Sequence, residues 1–264
     1  MFGVAKPAVW LRQMLSAAQA SRRAPMTNPP PVPVSPTPPP VGAPRVAALI
    51  PAYREARHIA EVVRATLPYA DEVWVVDDGS PDDTAALAAA AGAKLIRHEV
   101  NKGKGAAIKT GLLALAARGA RFIVLLDGDG QHKAAEIPLF VAAAERGAGL
   151  VVGNRLGDAR TMPFVRNCVN RFMSWRISRA CGTPIPDTQC GFRLLARERV
   201  EAVLGESDHF DFETEMLVRA ARAGCPIVSV PVSTIYGEEQ SKISPVRDAL
   251  RFFRLMKKLT GSWL

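Results

Sequence analysis

The chain has 264 residues, 48% hydrophobic and 22% charged, with a formal net charge of +9 and a pI near 9.8. That length supports one sizeable core, and the composition excludes disordered and fibrous classes. No apolar run approaches the ~20 residues that a membrane-spanning helix needs. The basic balance favours a polyanionic partner: a nucleotide, a phospholipid surface or nucleic acid. The four cysteines, Cys168, Cys181, Cys190 and Cys225, contain no Cys-x-x-Cys pair and read as reduced thiols of a cytosolic protein.

In chain order, residues 1–24 form a candidate amphipathic segment with Trp10, Leu11, Met14 and Leu15 on one side. Lys6, Pro7 and Arg12 interrupt it and no basic n-region precedes it, which argues against a secretory signal. Residues 25–44 hold ten of the 21 prolines and read as a polyproline-like, disordered tether. From residue 45 to 264 a single globular domain is expected, in which strands and helices alternate. Strands are predicted at 46–50, 72–76, 94–98, 122–126 and 149–152. Helices are predicted at 58–67, 81–91, 104–118, 136–146 and 163–181. Single helices between strands imply right-handed βαβ units, hence an α/β fold with a mostly parallel central sheet flanked by helices. Ligands of such sheets bind at the carboxyl ends of the strands, and the polar loops here all follow strands.

The chemistry of those loops centres on Asp127-Gly128-Asp129-Gly130-Gln131-His132. On an extended backbone, residues two apart point the same way, so Asp127 and Asp129 would face one point beyond the strand. Two hard oxygen donors there suit a divalent cation that also holds phosphates; an acidic strand-to-loop turn is the alternative. Asp77-Asp78-Gly79-Ser80 places two more carboxylates at a strand end, one able to accept from a base N–H or a ribose hydroxyl. Ser80 or Asp82 is expected to cap the following helix. Asn101-Lys102-Gly103-Lys104-Gly105 reads as a basic turn opening a helix, an anion cradle. The chain has neither Gly-x-Gly-x-x-Gly after its first strand nor a Gly-x-x-x-x-Gly-Lys-Ser/Thr, which disfavours a dinucleotide fold and a P-loop.

Taken together with Pro51-Ala52-Tyr53-Arg54-Glu55 and Gly153-Asn154-Arg155, these motifs resemble, in order, those of family 2 glycosyltransferases with the GT-A nucleotide-sugar-binding fold. The likeness is to the branch that moves sugars onto polyprenyl or dolichyl phosphates, and it runs from about Arg45 to Lys258. Asp187-Thr188-Gln189-Cys190-Gly191-Phe192-Arg193 is similar to the dolichyl-phosphate glucosyltransferase form of that segment. The resemblance implies that Pro51, Tyr53, Glu55, Asp77, Asp78, Lys104, Asp127 and Lys242 bind the nucleotide-sugar, of UDP-glucose or GDP-mannose type. It implies Mg²⁺ or Mn²⁺ on Asp127, Asp129 and Gln131, Asp129 and Arg155 as catalytic residues, and Arg155, Arg166, Arg171 and Ser241 around the acceptor phosphate. Three departures stand out. Arg54 replaces the usual Asn, Tyr236-Gly237-Glu238-Glu239-Gln240 replaces an arginine often found before Ser-Lys, and the C-terminal membrane helices of many members have no counterpart.

The expected reaction is an inverting, metal-dependent transfer to a polyprenyl phosphate, whose second ionisation near ~6 removes the need for a strong base. A hydroxyl acceptor would need one, with Asp211, Glu213 or Glu215 as candidates. A non-catalytic, nucleotide-binding membrane-surface protein is the reading from another class. A C-terminal helix at 245–259 carries Arg247, Arg251, Arg254 and Lys258 in one stripe beside Leu250, Phe252, Phe253, Met256 and Leu259. It reads either as an interfacial helix on anionic lipid or as a helix docked on the domain. The chain is thus expected in the cytoplasm, peripheral at the inner face of the membrane. No nucleic-acid module appears, so nucleic acid is not an expected partner.

Overall fold

The computed structural model describes residues 42–156, 164–209, 211–233, 235, 254–257 and 259. The N-terminal segment and nearly all of the proline-rich stretch lie outside these, as do Ser241 and Lys242. Seven strands form one sheet: β1 Val46–Ala52, β2 Glu72–Asp77, β3 Lys94–Arg97, β4 Phe122–Leu125, β5 Leu150–Asn154, β6 Arg193–Ala196 and β7 Ile227–Pro231. Their order is β3-β2-β1-β4-β6-β5-β7, and only β6 runs against the rest. The mostly parallel sheet is as the alternation predicts. The antiparallel β6 and the outer β7 are additions: β6 is four residues long and opens on a charged Arg193, so it lacks the apolar alternation by which a strand is recognised.

Seven helices flank the sheet among the described residues: α1 Ile59–Thr66, α2 Thr84–Ala90, α3 Lys104–Arg118, α4 Ile137–Glu145, α5 Phe164–Cys181, the single turn α6 Val200–Val203, and α7 Asp211–Arg222. β1 is buried at every position, as expected of a strand covered on both faces. Val46, Ala48 and Ile50 pack into the core beneath α1 and α4, while Ala47 and Leu49 pack with Ala107, Ile108, Leu112 and Leu115 of α3. α3 sits so close to the sheet that a methyl group on Gly111 would fall on the Leu49 side chain.

The chain lays β1, β2 and β3 down in one direction and then returns to place β4 on the other side of β1. The loops after β1 and β4 therefore diverge from adjacent strands at the switch point, where an open α/β sheet offers a crevice. There the side chain of Glu55 lies against Gly128, whose added Cβ would sit 3.4 Å from Glu55 Cγ.

Three local expectations are corrected. α2 begins at Thr84 rather than residue 81, and neither proposed residue caps it in the usual way. Ser80 Oγ instead accepts from the Arg54 N–H, while Asp82 Oδ1 accepts from the N–H and hydroxyl of Thr84. β4 ends at Leu125, so the acidic motif lies wholly beyond the strand. In the C-terminal segment, Leu255, Met256 and Leu259 are buried, and Arg254 and Lys257 are exposed. Leu255 and Leu259 pack on Val218, Ala180 and Cys181, and Arg222 bonds the Leu259 carbonyl. Met256 and Leu259 thus belong to the core, as in the docked alternative, while Arg247, Leu250, Arg251, Phe252, Phe253 and Lys258 lie outside the described residues.

The core on the α4 side is anchored by Phe140 and Phe192, both fully buried and stacked with ring centroids 4.2 Å apart. Truncating Phe140 to Ala should cost about 3–5 kcal/mol, read as a lowered urea midpoint; Phe140→Leu should recover most of it. Equal midpoints for wild type and Phe140→Ala would contradict this packing.

Candidate active site

The acidic motif is a turn, not an extended pair. Asp129 Oδ1 accepts the Gln131 N–H at 3.0 Å and Gly130 has φ +77°. An Asx turn of this kind, rather than strand alternation, sets the direction of Asp129.

Asp127 is the hub. Its Oδ1 pairs with Lys104 Nζ at 2.7 Å, and its Oδ2 accepts from His132 Nε2 at 3.3 Å. Burial works to raise the Asp127 pKa, but the Lys104 charge and the His132 hydrogen bond outweigh it and hold the carboxyl well below the usual range. Lys104 also reaches Glu213 Oε2 at 3.0 Å, at the start of α7. Burial opposes the Lys104 charge, and the two carboxylates more than restore it, raising its pKa. Asp129 goes the other way: burial first and the Asp127 charge second raise its carboxyl above the ordinary value. Two carboxylates in mutual repulsion, against the single ammonium shared with Glu213, are a donor set that fits a hard divalent cation. No cluster of three or more His, Cys, Asp or Glu suited to a metal occurs among the described residues, so substrate oxygens and water would complete the coordination of Asp127 and Asp129. Gln131 adjoins them, half-buried, its carbonyl accepting the Ile235 N–H at 3.0 Å. Ser241 and Lys242, a few residues further on, lie outside the described residues.

The side expected to hold the nucleoside is built on the ends of β1 and β2. Pro51 is buried, Tyr53 is exposed, and the Glu55 N–H bonds Thr84 Oγ1 at 2.9 Å. Arg54, in place of the usual Asn, adopts φ +59°, a left-handed conformation that Asn tolerates and Arg does not favour. Its guanidinium lies 5.2 Å from the Tyr53 ring centre.

Asp77 and Asp78 take separate tasks. Asp77, fully buried, accepts the Ser80 N–H at 3.2 Å and faces Arg97 Nε at 3.1 Å. Asp78 receives the Lys102 N–H at 2.9 Å, the Gly103 N–H at 2.7 Å and His98 Nδ1 at 2.7 Å. This corrects the anion cradle: the Lys102 and Gly103 amides of the 101–105 turn point at Asp78, and the Ala106 N–H bonds the Asp208 carbonyl. Asp78 fastens the turn, and only the Lys104 side chain reaches the acidic centre.

Arg155 follows β5 and is held by a buried carboxylate. Its Nε and Nη2 pair with Asp187 Oδ2 and Oδ1 at 2.8 and 3.1 Å, and its N–H also bonds Oδ2. Arg171 is exposed on α5; Arg166 lies on the same helix with its side chain outside the described residues. Of the candidate bases, Glu213 joins the site, whereas Glu215 is consumed by the Glu206 and Ser207 N–H groups.

The 187–193 segment supplies residues to which motif spacing assigned no role. Asp187 orients Arg155, and Gly191 lets the backbone approach Asp127 so closely that a Cβ there would sit 2.5 Å from Asp127 Oδ2. Arg193, fully buried, donates to the carbonyls of Cys190 at 2.9 Å, Thr188 at 2.9 Å and Glu213 at 2.6 Å. It ties this segment to the start of α7, and thereby fixes Glu213 relative to Asp127. A cation in an otherwise apolar core stretch was the available signal, since Arg is almost never fully buried without partners.

Gly191→Ala should push the Asp127 carboxylate off its Lys104 and His132 partners, lowering thermal stability and weakening the Mn²⁺·nucleotide binding proposed below by roughly 10-fold or more. Isothermal titration checks this, and unaltered affinity would refute it. Arg193→Met should destabilise by about 3–5 kcal/mol, because three buried carbonyls lose a charged donor; chemical denaturation reads it directly.

The comparisons with known proteins agree with this geometry. The sequence model described as glycosyl transferase family 2 matches residues 47–204. A polyprenol monophosphomannose synthase of Mycolicibacterium smegmatis is 30% identical, over 72% of this chain and 77% of its own length. A dolichyl-phosphate beta-glucosyltransferase of Dictyostelium discoideum is 26% identical, over 83% and 76%. Among solved structures, the glucosyl-3-phosphoglycerate synthase of Mycobacterium tuberculosis, in complex with Mg²⁺ and uridine diphosphate, superposes with a TM-score of 0.65 at 21% identity, over 83% of this chain and 80% of that one. That likeness establishes the GT-A fold. With this match over residues 47–204, the chain is a glycosyltransferase and belongs to glycosyl transferase family 2.

Proposed function

We propose that the protein transfers a sugar from a uridine-diphosphate sugar to a polyprenyl phosphate, with Mg²⁺ or Mn²⁺ bound through Asp127 and Asp129. The observation that carries this reading is the Asp127–Asp129–Lys104 centre at the switch point of the sheet. The polyprenyl- and dolichyl-phosphate enzymes among its relatives support the acceptor class. The Mg²⁺ and uridine diphosphate in the structural neighbour support the donor and metal.

When bound, the cation would supply Lewis-acid neutralisation of the diphosphate charge. Breaking the anomeric C–O bond leaves a nucleoside diphosphate that gains negative charge, and Lys104 lies beside Asp127 to stabilise it. Pro51, Tyr53 and Glu55, with Asp77 behind them, line the nucleoside side. Arg155, clamped by Asp187 through Nε and Nη2, keeps its Nη1 edge out of that pair, and this edge would steer the acceptor phosphate. A phosphate monoester is ionised at neutral pH, its second pKa near ~6, so the attacking oxygen needs positioning and not deprotonation.

One observation favours a second reading. Glu213 lies within reach of the same lysine as Asp127, where a base for a hydroxyl acceptor would stand.

The test is a panel of UDP- and GDP-sugars with Mn²⁺ and a short-chain polyprenyl phosphate, following nucleoside diphosphate release and lipid product. One UDP-sugar should give product, with transfer abolished by EDTA and reduced at least ~100-fold in Asp129→Ala. The rate should rise through pH ~6 and then level off, following the acceptor's ionisation. Product formed only on a hydroxyl acceptor and lost in Glu213→Gln would shift the assignment to the second reading.

A further inference from the structure

The outward face of α5 carries an unusual set of residues. This 18-residue helix contains four arginines, Arg166, Arg171, Arg176 and Arg179, and no Asp or Glu. Its inner face is Asn170, Met173, Ser174, Ile177, Ala180 and Cys181, of which Asn170, Ser174 and Ile177 are buried and the other three pack partly buried against the core. Helical spacing turns Arg171, Phe172, Trp175, Arg176 and Arg179 to the opposite side. Arg171 and Arg179 are exposed, and Phe172, Trp175 and Arg176 are partly so. Val169, on the flank, is 42% exposed. The Phe172 and Trp175 rings meet at 6.1 Å, and the Arg179 guanidinium lies 5.4 Å from the Trp175 ring centre.

A solvated helix face ordinarily mixes both signs of charge and keeps aromatic rings inward. Here like charges stand together. Arg176 is held below the ordinary arginine range by burial first and by the Arg179 charge second. Arginines interleaved with Trp and Phe match the polar–apolar boundary of a bilayer, where indole rings settle at the headgroup level and guanidinium groups meet lipid phosphate. The helix is also fastened to the active site. Ser174 Oγ accepts the Thr188 N–H at 2.9 Å, and Thr188 adjoins Asp187, the partner of Arg155. At the far end of α5, Leu255 and Leu259 pack against Ala180 and Cys181, and the neighbouring Arg254 and Lys257 point to solvent.

We propose that the outward face of α5, centred on Phe172, Trp175, Arg176 and Arg179, is the surface by which the protein docks on an anionic phospholipid membrane. In the C-terminal segment Leu255, Met256 and Leu259 are committed to the core, and Leu250, Phe252 and Phe253 lie outside the described residues. The purpose of the docking rests on the polyprenyl-phosphate reading, because a lipid acceptor must be met at the bilayer surface; the geometry of the face does not.

The experiment is co-sedimentation of the full chain with vesicles of phosphatidylcholine alone, and of phosphatidylcholine containing about one third phosphatidylglycerol. Wild type should bind the anionic vesicles at least ~10-fold more tightly than the neutral ones. The double variant Arg176→Gln/Arg179→Gln should lose roughly 10-fold or more of that affinity, and Arg176→Lys/Arg179→Lys should retain it within about 3-fold. Phe172→Ala/Trp175→Ala should abolish the fraction that stays bound when salt screens the charges.

Equal binding by wild type and the Gln variant, or no preference of wild type for anionic vesicles, would overturn the proposal. So would binding to a DNA duplex as tight as to the vesicles, with the same loss in the Gln variant. Transfer to a detergent-dispersed short-chain polyprenyl phosphate, measured in parallel, separates the two assignments. Transfer without vesicle binding overturns the docking surface alone. Vesicle binding that depends on these arginines, without transfer to any polyprenyl phosphate, supports the docking surface and removes the acceptor assignment.

Discussion

The placement of one carboxylate, that of Asp127, is the constraint on which the rest of the site depends. Its two oxygens are met from two directions, by Lys104 at the head of α3 and by His132 five residues further on, and the backbone at Gly191 closes over it. Even a partly buried carboxylate is costly unless its charge is matched and its lone pairs are occupied, and here both conditions hold. At the neighbouring Asp129, burial first and the Asp127 charge second outweigh the Gln131 N–H and raise the carboxyl above its ordinary value. The protein thus maintains one fully ionised carboxylate beside one under electrostatic strain. A divalent cation held there would relieve that repulsion.

Around this centre, polar contacts between loops do the work that regular structure does in the sheet. Asp78 gathers His98 and the amides of Lys102 and Gly103, Glu215 gathers the amides of Glu206 and Ser207, and Asp187 grips Arg155. Arg193 links three carbonyls from two segments. Each staple fixes a loop at the carboxyl edge of the sheet before any substrate arrives. Groups aimed in advance at the place where charge develops need no reorganisation during the reaction, and electrostatic catalysis requires that condition. The same contacts offset the cost of burying so many charged side chains there.

How much of this could be read from the chain differs by element. The strands before residue 126 and the helix at 104–118 were legible because their apolar residues recur with clear period or form unbroken buried runs. The loops bearing Asp127, Asp77 and Arg155 were legible because each directly follows such a strand. The antiparallel β6 was not, being four residues opening on a buried arginine. The extended geometry expected for Asp127 and Asp129 was replaced by an Asx turn, and the anion cradle expected at 101–105 proved to be occupied by Asp78. The first was settled within the motif by the Asp129–Gln131 bond, the second by Asp78 from the end of a neighbouring strand.

By itself, the sequence determined the order of strands and helices, the parallel sheet they imply, and the residue types at each strand end, because these follow from local periodicity and composition. The tertiary structure alone decided which of those residues meet. Glu213 shares a lysine with Asp127, Asp187 holds Arg155, and Gly191 leaves room for a carboxylate from a turn more than sixty residues earlier. It also decided which apolar residues of the C-terminal segment enter the core and which face of α5 remains outside. Contacts between distant segments are set by shape and charge complementarity in three dimensions, and no periodicity along the chain encodes them.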